Sequence, residues 1–364
     1  MTEISRRDFV KQSAAPIVMS ALPSSFYADT TAQLSKMGIA STSFMGAMIP
    51  GSPARPGGGE APAANAPRPQ ARDALEFLEK CHSLGAGGVQ TALNGDLMKL
   101  RKRADELGMY IEGMVPIPRN GDMSALEKSL SDCQSIGVTV ARAAMLGGRR
   151  YETFKTLAEW KAWVDQSHNA LRLALPIIEK YKVTVAVENH KDWTLEDFLR
   201  LLRAYQSQYL QVCLDFGNNL ALLDDPYELV EGLAPYTRST HIKDMGVQPY
   251  EDGFLLSEVP LGEGLLDLQR IVSTIQKASP QTKFSLEMIT RDPLKVPCLT
   301  PQYWEVFPDR NGKYLARILK LAQQKSSRER LPVVDQLPRE ERAKVEEENV
   351  KACLRYVDEK KIIA

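Results

Sequence analysis

Four side chains able to hold a metal ion or move a proton stand at the ends of short β-rich runs: Glu188, Asp215, His241 and Glu287. Glu188 follows Val183–Val187, Asp215 follows Leu210–Leu214, His241 follows Ser239 and Thr240, and Glu287 follows Lys283–Leu286. Three carboxylates and one imidazole form an oxygen-rich set. Such a set suits one divalent ion, Mn²⁺, Co²⁺, Mg²⁺ or Zn²⁺, with positions left open for substrate, whereas a structural zinc site is rich in thiolates. Each residue alone reads as a polar strand end. The ordered set of four reads as a centre.

For these side chains to meet, the runs that carry them must be strands of one sheet. Val183-Thr-Val-Ala-Val-Glu-Asn-His190 is too short and too β-branched for a helix, and its continuous apolar run predicts a strand buried on both faces, as in a parallel sheet. Glu188 and His190 alternate onto one face of it. Thr194 then opens a helix as N-cap with Asp197 at N3, and Leu195, Phe198, Leu199 and Leu202 give that helix one apolar stripe.

The same unit recurs along the chain. A first strand is expected over Lys36–Thr42, and further strands at Gly88–Thr91, Met109–Gly113, Val138–Arg142, Leu210–Asp215, Ser239–Lys243 and Lys283–Glu287. Between them lie helical stretches near 71–81, 96–107, 123–136, 154–181, 194–206, 227–233 and 267–275, with an eighth at Tyr314–Gln324. Eight strands in strict alternation with helices predict an α/β fold, a (β/α)8 TIM barrel over residues 29–325. The first strand is not followed by GxGxxG, which argues against a dinucleotide-binding open sheet. In a barrel all strands open their carboxyl ends on one face, so the four side chains converge there. Residues 326–364 add a Pro-containing linker and a charged segment. Val350, Leu354 and Val357 give that segment a helical stripe, so a C-terminal helical extension is expected to dock on the barrel exterior or on a partner subunit in a homo-oligomer.

Composition narrows the partners. The 364 residues carry 46 acidic and 46 basic side chains, so no electrostatic footprint for nucleic acid or an anionic membrane is expected. The expected partner is a small molecule. Five cysteines, widely spaced and without a CxxC pair, imply neither a disulfide framework nor a zinc knuckle.

Two segments stand apart from the barrel pattern. Ser5-Arg-Arg-Asp-Phe-Val-Lys11, followed by a weakly apolar stretch and small residues to Ala28, resembles a twin-arginine export signal. It implies passage through the twin-arginine translocase and a periplasmic or secreted location. Nothing else reaches the roughly 18 apolar residues of a membrane span. Residues 46–70 are dominated by Gly, Pro and Ala, and Gly57-Gly58-Gly59 lacks the GK[ST] ending of a phosphate-binding loop. Directly after the first strand, this segment is expected to be a loop on the catalytic face, with a lid over the site as the sharper expectation.

Val-Glu188-Asn-His190, Leu-Asp215-Phe-Gly-Asn218, His241-Ile-Lys-Asp244, Pro260-Leu-Gly-Glu-Gly264-Leu-Leu-Asp267 and Leu-Glu287 occur in order. In this respect the chain resembles the xylose isomerase-like barrel superfamily, the sugar phosphate isomerase/epimerase group, from about residue 36 to 324. The resemblance implies that Glu188, Asp215, His241 and Glu287 bind one divalent metal, and that Glu188 and Glu287 flank a carbohydrate substrate as an acid/base pair. It departs from ketose 3-epimerases, which carry histidine where this chain has Asn218 and arginine where it has Val247. Their sugar contacts therefore do not transfer, and His190, Asn218, Lys243 and Arg142 are the candidates to touch substrate or to support a ligand.

The implied activity is isomerisation or epimerisation by proton abstraction next to a carbonyl, through an enediolate. A metal-dependent lyase or hydratase acting on keto-sugars or keto-glycosides shares that first chemistry. A non-catalytic carbohydrate-binding barrel has no need of two carboxylates beside a metal. An apurinic endonuclease of this superfamily needs a histidine-rich trinuclear zinc site, and this chain has four histidines, of which His82 and His168 fall in predicted outer helices.

Overall fold

The computed structural model describes residues 34–45, 73–327 and 330–364; the segment expected to be an export signal and residues 46–70 lie outside the described residues. Among the described residues eleven strands follow in chain order: β1 (Gly38–Ala40), β2 (Gly88–Thr91), β3 (Tyr110–Met114), β4 (Val140–Ala143), β5 (Thr184–Glu188), β6 (Leu210–Asp215), β7 (Thr237–Ile242), β8 (Asp244–Tyr250), β9 (Gly253–Val259), β10 (Lys283–Leu286) and β11 (Leu294–Val296). Eight of them close into a parallel barrel in the order β1-β10-β7-β6-β5-β4-β3-β2. These are the eight expected strands, with helices between them.

Helix starts follow the local chemistry. Thr194 and Asp197 form a reciprocal capping box at the helix Leu195–Tyr205, and Asp267 accepts from the Arg270 N–H at the helix Leu268–Ala278, whose buried face is Leu268, Ile271, Val272 and Ile275. One expectation needs correction. The helix expected over 154–181 is a single helix that starts three residues later, at Leu157–Tyr181, because Thr156 with Glu159 makes a capping box there; a separate short turn of helix, Arg150–Thr153, precedes it. The cap competes with helix continuation by satisfying the first free N–H groups locally.

The barrel interior is closed at its amino end by Tyr110, whose ring lies where a side chain at Gly38 or Gly88 would have to stand. A Cβ on Gly38 would fall 2.3 Å from the Tyr110 hydroxyl. That hydroxyl donates to the Phe284 carbonyl at 2.8 Å and accepts from the Gly38 N–H at 2.9 Å. Above it lies a polar layer. Gln90 and Glu112 are paired in register across β2 and β3, and the Glu112 carboxylate accepts from Gln90, Ser239 and Ser285.

A three-stranded antiparallel sheet, in the order β11-β9-β8, was not anticipated. It leaves β7 at Lys243, runs out along β8, returns along β9, and takes up β11 after β10. The helix Arg339–Lys360 packs on the same barrel: Val350, Cys353, Leu354 and Val357 are buried, the Leu261 N–H points at Cys353 Sγ at 3.4 Å, and Ser35 donates to Asp358 at 2.7 Å. Among the described residues no helix is long and apolar enough to cross a membrane.

Candidate metal centre

Glu188 ends β5, Asp215 ends β6, His241 lies one residue before the end of β7, and Glu287 follows β10 directly. Parallel pairing sets Asp215 opposite His241 across β6 and β7, while Glu188 lies opposite Cys213 and His241 opposite Ser285, so Glu188 and Glu287 are each two residues out of register with their neighbours. One ligand atom from each lies within 4.8 Å of all the others, and all four side chains are buried. Ligands on opposite sides of an ion at roughly 2.0–2.3 Å stand about 4–4.6 Å apart, so the spacing fits one divalent ion.

His241 is the pivot. Its Nδ1 lies 3.4 Å from Glu188 Oε1, 3.4 Å from Glu287 Oε1 and 3.8 Å from Asp215 Oδ2, yet makes no directed hydrogen bond. Its Nε2 lies 2.6 Å from Gln90 Oε1. Gln90 is itself fixed, because its amide donates to Glu112 at 3.1 Å and to Ser239 at 3.0 Å. The amide oxygen must therefore face His241, Nε2 carries a proton, and Nδ1 faces the carboxylates. Against the downward push of burial, Glu287 and Glu188 raise the imidazole to about 10. The cluster thus draws positive charge onto that atom, for which a proton and a metal ion compete.

Each carboxylate is held from behind. Asn189 grips the Asp215 backbone on both sides, accepting from its N–H and donating to its carbonyl at 2.8 Å each, while Asp215 Oδ1 accepts from the Gly217 and Asn218 N–H groups. Asp215 Oδ2 has no directed hydrogen bond, although Lys243 Nζ stands 2.7 Å away in a pairing that is Coulombic rather than aligned. Burial pushes the Asp215 carboxyl up to about 6 despite Lys243. Glu188 accepts from Asn218 at 3.1 Å on Oε1 and from Arg142 Nε at 2.6 Å on Oε2. Glu287 accepts from Thr42 at 2.9 Å on Oε1 and from Lys243 at 2.5 Å on Oε2. Burial raises both glutamates, but Arg142 and His241 at Glu188, and His241 and Lys243 at Glu287, hold them well below the usual carboxylate range.

The four expected substrate-contact residues divide. Arg142, Asn218 and Lys243 all touch candidate ligands, and Asn218 and Lys243 are fully buried behind them. His190 is half-buried with Nδ1 2.8 Å from the Leu146 carbonyl. Sequence reasoning missed Thr42, Gln90, Glu112, Asn189, Lys191, Glu258 and Arg291. Gln90 and Glu112 carried a signal, a polar residue inside a short apolar strand. Glu258 and Arg291 carried none, since only the β8-β9-β11 sheet brings them in. Glu258 lies 3.7 Å from Lys243 and pairs with Arg291 at 2.6 Å.

The Pro260–Asp267 motif is structural. The Gly262, Gly264 and Leu266 N–H groups converge on the Asp244 carboxylate at 3.0, 3.0 and 3.1 Å. This anchors the turn from β7 into β8, next to Lys243.

Comparison with known proteins agrees with this architecture. A family model described as "Xylose isomerase-like TIM barrel" matches residues 61–308. The chain belongs to this family. Among curated relatives of this xylose isomerase-like barrel, a 3-oxo-isoapionate decarboxylase from Pectobacterium atrosepticum is 31% identical over 210 residues, covering 55% of this chain and 72% of the relative. Solved structures similar to it include an L-ribulose 3-epimerase, at 16% identity and a TM-score of 0.48, covering 79% of this chain and 95% of the other. Another is a 3-keto-D-glucoside 4-epimerase from E. coli, at 14% and 0.47, covering 78% and 98%.

Proposed function

We propose that this chain is a divalent-metal-dependent enzyme of keto-sugar chemistry that breaks a bond next to a carbonyl and returns a proton to the carbon left behind. One observation carries the reading: Glu188, Asp215, His241 and Glu287 converge within 4.8 Å, with His241 Nδ1 and Asp215 Oδ2 lacking directed hydrogen bonds. A divalent ion there supplies Lewis-acid stabilisation of negative charge on the substrate's carbonyl oxygen, an effect of several kcal/mol. The chain supplies the rest. Gln90 fixes the His241 tautomer, Asn189 fixes the Asp215 backbone, and Arg142 and Lys243 hold the glutamates in place and neutralise them.

The bond broken is, on this reading, the C–C bond of a 3-oxo acid. The 31% identical relative is a decarboxylase, and the glutamate geometry supports the same class. The outer oxygen of each glutamate is committed to a cation, Glu188 to Arg142 and Glu287 to Lys243, which makes each a poor base. Decarboxylation needs no base to begin. The bond between the α-carbon and the carboxylate breaks, its electron pair passes into the enediolate, carbon dioxide leaves, and one proton is taken up at the α-carbon. A second reading, isomerisation or epimerisation by proton transfer, is favoured by one observation. Glu188 and Glu287 flank His241 at the same 3.4 Å, as an acid/base pair would.

One experiment separates these. Mn²⁺-supplemented protein is incubated in D₂O with a panel of 3-oxo sugar acids and neutral keto-sugars, and carbon dioxide and deuterium are both followed. Decarboxylation should release carbon dioxide and place one deuterium at the carbon that lost it. Deuterium next to the carbonyl without carbon dioxide would select the proton-transfer reading, and neither signal with any substrate would contradict the proposal. The Ser5–Lys11 pattern supports a further part of the reading, that the enzyme works after twin-arginine export.

A further inference from the structure

Four cations stand at the centre: Arg142, Lys191, Lys243 and Arg291. Three of them serve the candidate ligands, Arg142 on Glu188, Lys243 on Asp215 and Glu287, and Lys191 on Asn218, which in turn donates to Glu188. Arg291 touches none of these groups. Its Nη2 and Nε lie 2.6 and 3.2 Å from the two oxygens of Glu258, a carboxylate on β9 with no exposed side-chain surface, while 28% of the Arg291 side chain is exposed. A buried carboxylate that grips one edge of an arginine costs desolvation and holds the guanidinium in one orientation. The other edge, carrying Nη1, makes no hydrogen bond among the described residues.

Position and charge say what that edge is for. Arg291 follows Glu287 by four residues in the connection from β10 to β11, and its partner Glu258 lies 3.7 Å from Lys243, which contacts Asp215 and Glu287. Two side chains, Glu258 and Lys243, therefore link the guanidinium to the candidate ligands, on the carboxyl face of the barrel. The four cations are balanced by four carboxylates, Glu188, Asp215, Glu258 and Glu287, so a divalent ion would leave the site with net positive charge. Two further buried carboxyls, Asp192 and Glu112, are pushed up to about 7 by burial, so they offset that surplus only when ionised. A planar fork held at one edge and open at the other matches a carboxylate in shape as well as charge.

We propose that Arg291, aimed by Glu258, binds the carboxylate of the substrate and so selects keto-acids over neutral keto-sugars. This deepens the decarboxylation reading and rests on it for the substrate's class. A grip on the leaving carboxylate stabilises the ground state, so its value lies in binding and in orientation. The C–C bond must stand perpendicular to the carbonyl plane to break, and a fixed fork holds it there. Replacing Arg291 should then raise KM for an acid substrate more than it lowers kcat.

Binding without turnover tests the clamp separately from the reaction. D-Gluconate and D-glucitol differ only in carrying a carboxylate or a hydroxymethyl group at carbon 1, and each is titrated into Mn²⁺-loaded protein by calorimetry. Wild type should prefer gluconate by at least about ten-fold, the scale of one charge-assisted bidentate contact. Arg291→Gln should reduce the preference to about two-fold with Mn²⁺ stoichiometry unchanged, and Arg291→Lys, keeping charge without the fork, should fall between. An undiminished preference in Arg291→Gln would overturn the proposal, because the ion or another cation would then be reading the carboxylate. Equal binding of the two probes by wild type would overturn it as well. Since nothing turns over, absence of carbon dioxide release from every acid would remove the reaction reading and leave this result standing.

Discussion

At the residue scale, the centre depends on which nitrogen of His241 carries the proton, and that is decided two side chains away. Glu112 orients Gln90, and Gln90 orients His241. Gln90→Leu removes the acceptor without removing a candidate ligand, so Mn²⁺ affinity should fall by roughly ten-fold or more, as losses behind a ligand commonly do. Calorimetry on the folded variant checks this, and an unchanged affinity would show that the Gln90 contact does not matter. Glu188, Asp215, His241 and Glu287 were legible in sequence because each closes a short β-rich run, where side-chain alternation and strand polarity dictate direction. Arg291 was not, because its partner Glu258 lies on a strand whose place depends on pairing rather than on local pattern.

At the element scale, the barrel strands read clearly because each is a compact run bounded by a capped helix. The β8-β9-β11 sheet did not. Gly246 and Pro249 interrupt β8 as a β-branched run, and its order comes from pairing with β9 and from the Asp244 anchor. That anchor makes a prediction. A Cβ on Gly264 would lie 2.1 Å from Asp244 Oδ1, whereas one on Gly312, at the start of the helix Gly312–Gln324, meets nothing within 4 Å. Gly264→Ala should therefore destabilise by about 1–3 kcal/mol, as overpacking does. Gly312→Ala should stay within about 0.5 kcal/mol. Urea denaturation of the two variants side by side decides it; equal midpoints would mean that the loop 260–267 yields freely.

At the scale of the whole molecule, 46 acidic and 46 basic residues balance, and all five cysteines are buried. Its export is argued from seven residues outside the described part of the structure: replacing Arg6 and Arg7 by Lys should retain the protein in the cytoplasm, and unchanged secretion would dismiss the signal. Closure of the barrel is what brings four strand ends, far apart in sequence, to one point, so the most direct test is made there. Titration of metal-free protein with Mn²⁺ should show one ion per chain, and Asp215→Asn combined with His241→Ala should lose at least about ten-fold in affinity. Full-stoichiometry binding of equal strength in the double variant, or no binding by wild type, would contradict a metal centre at these four residues.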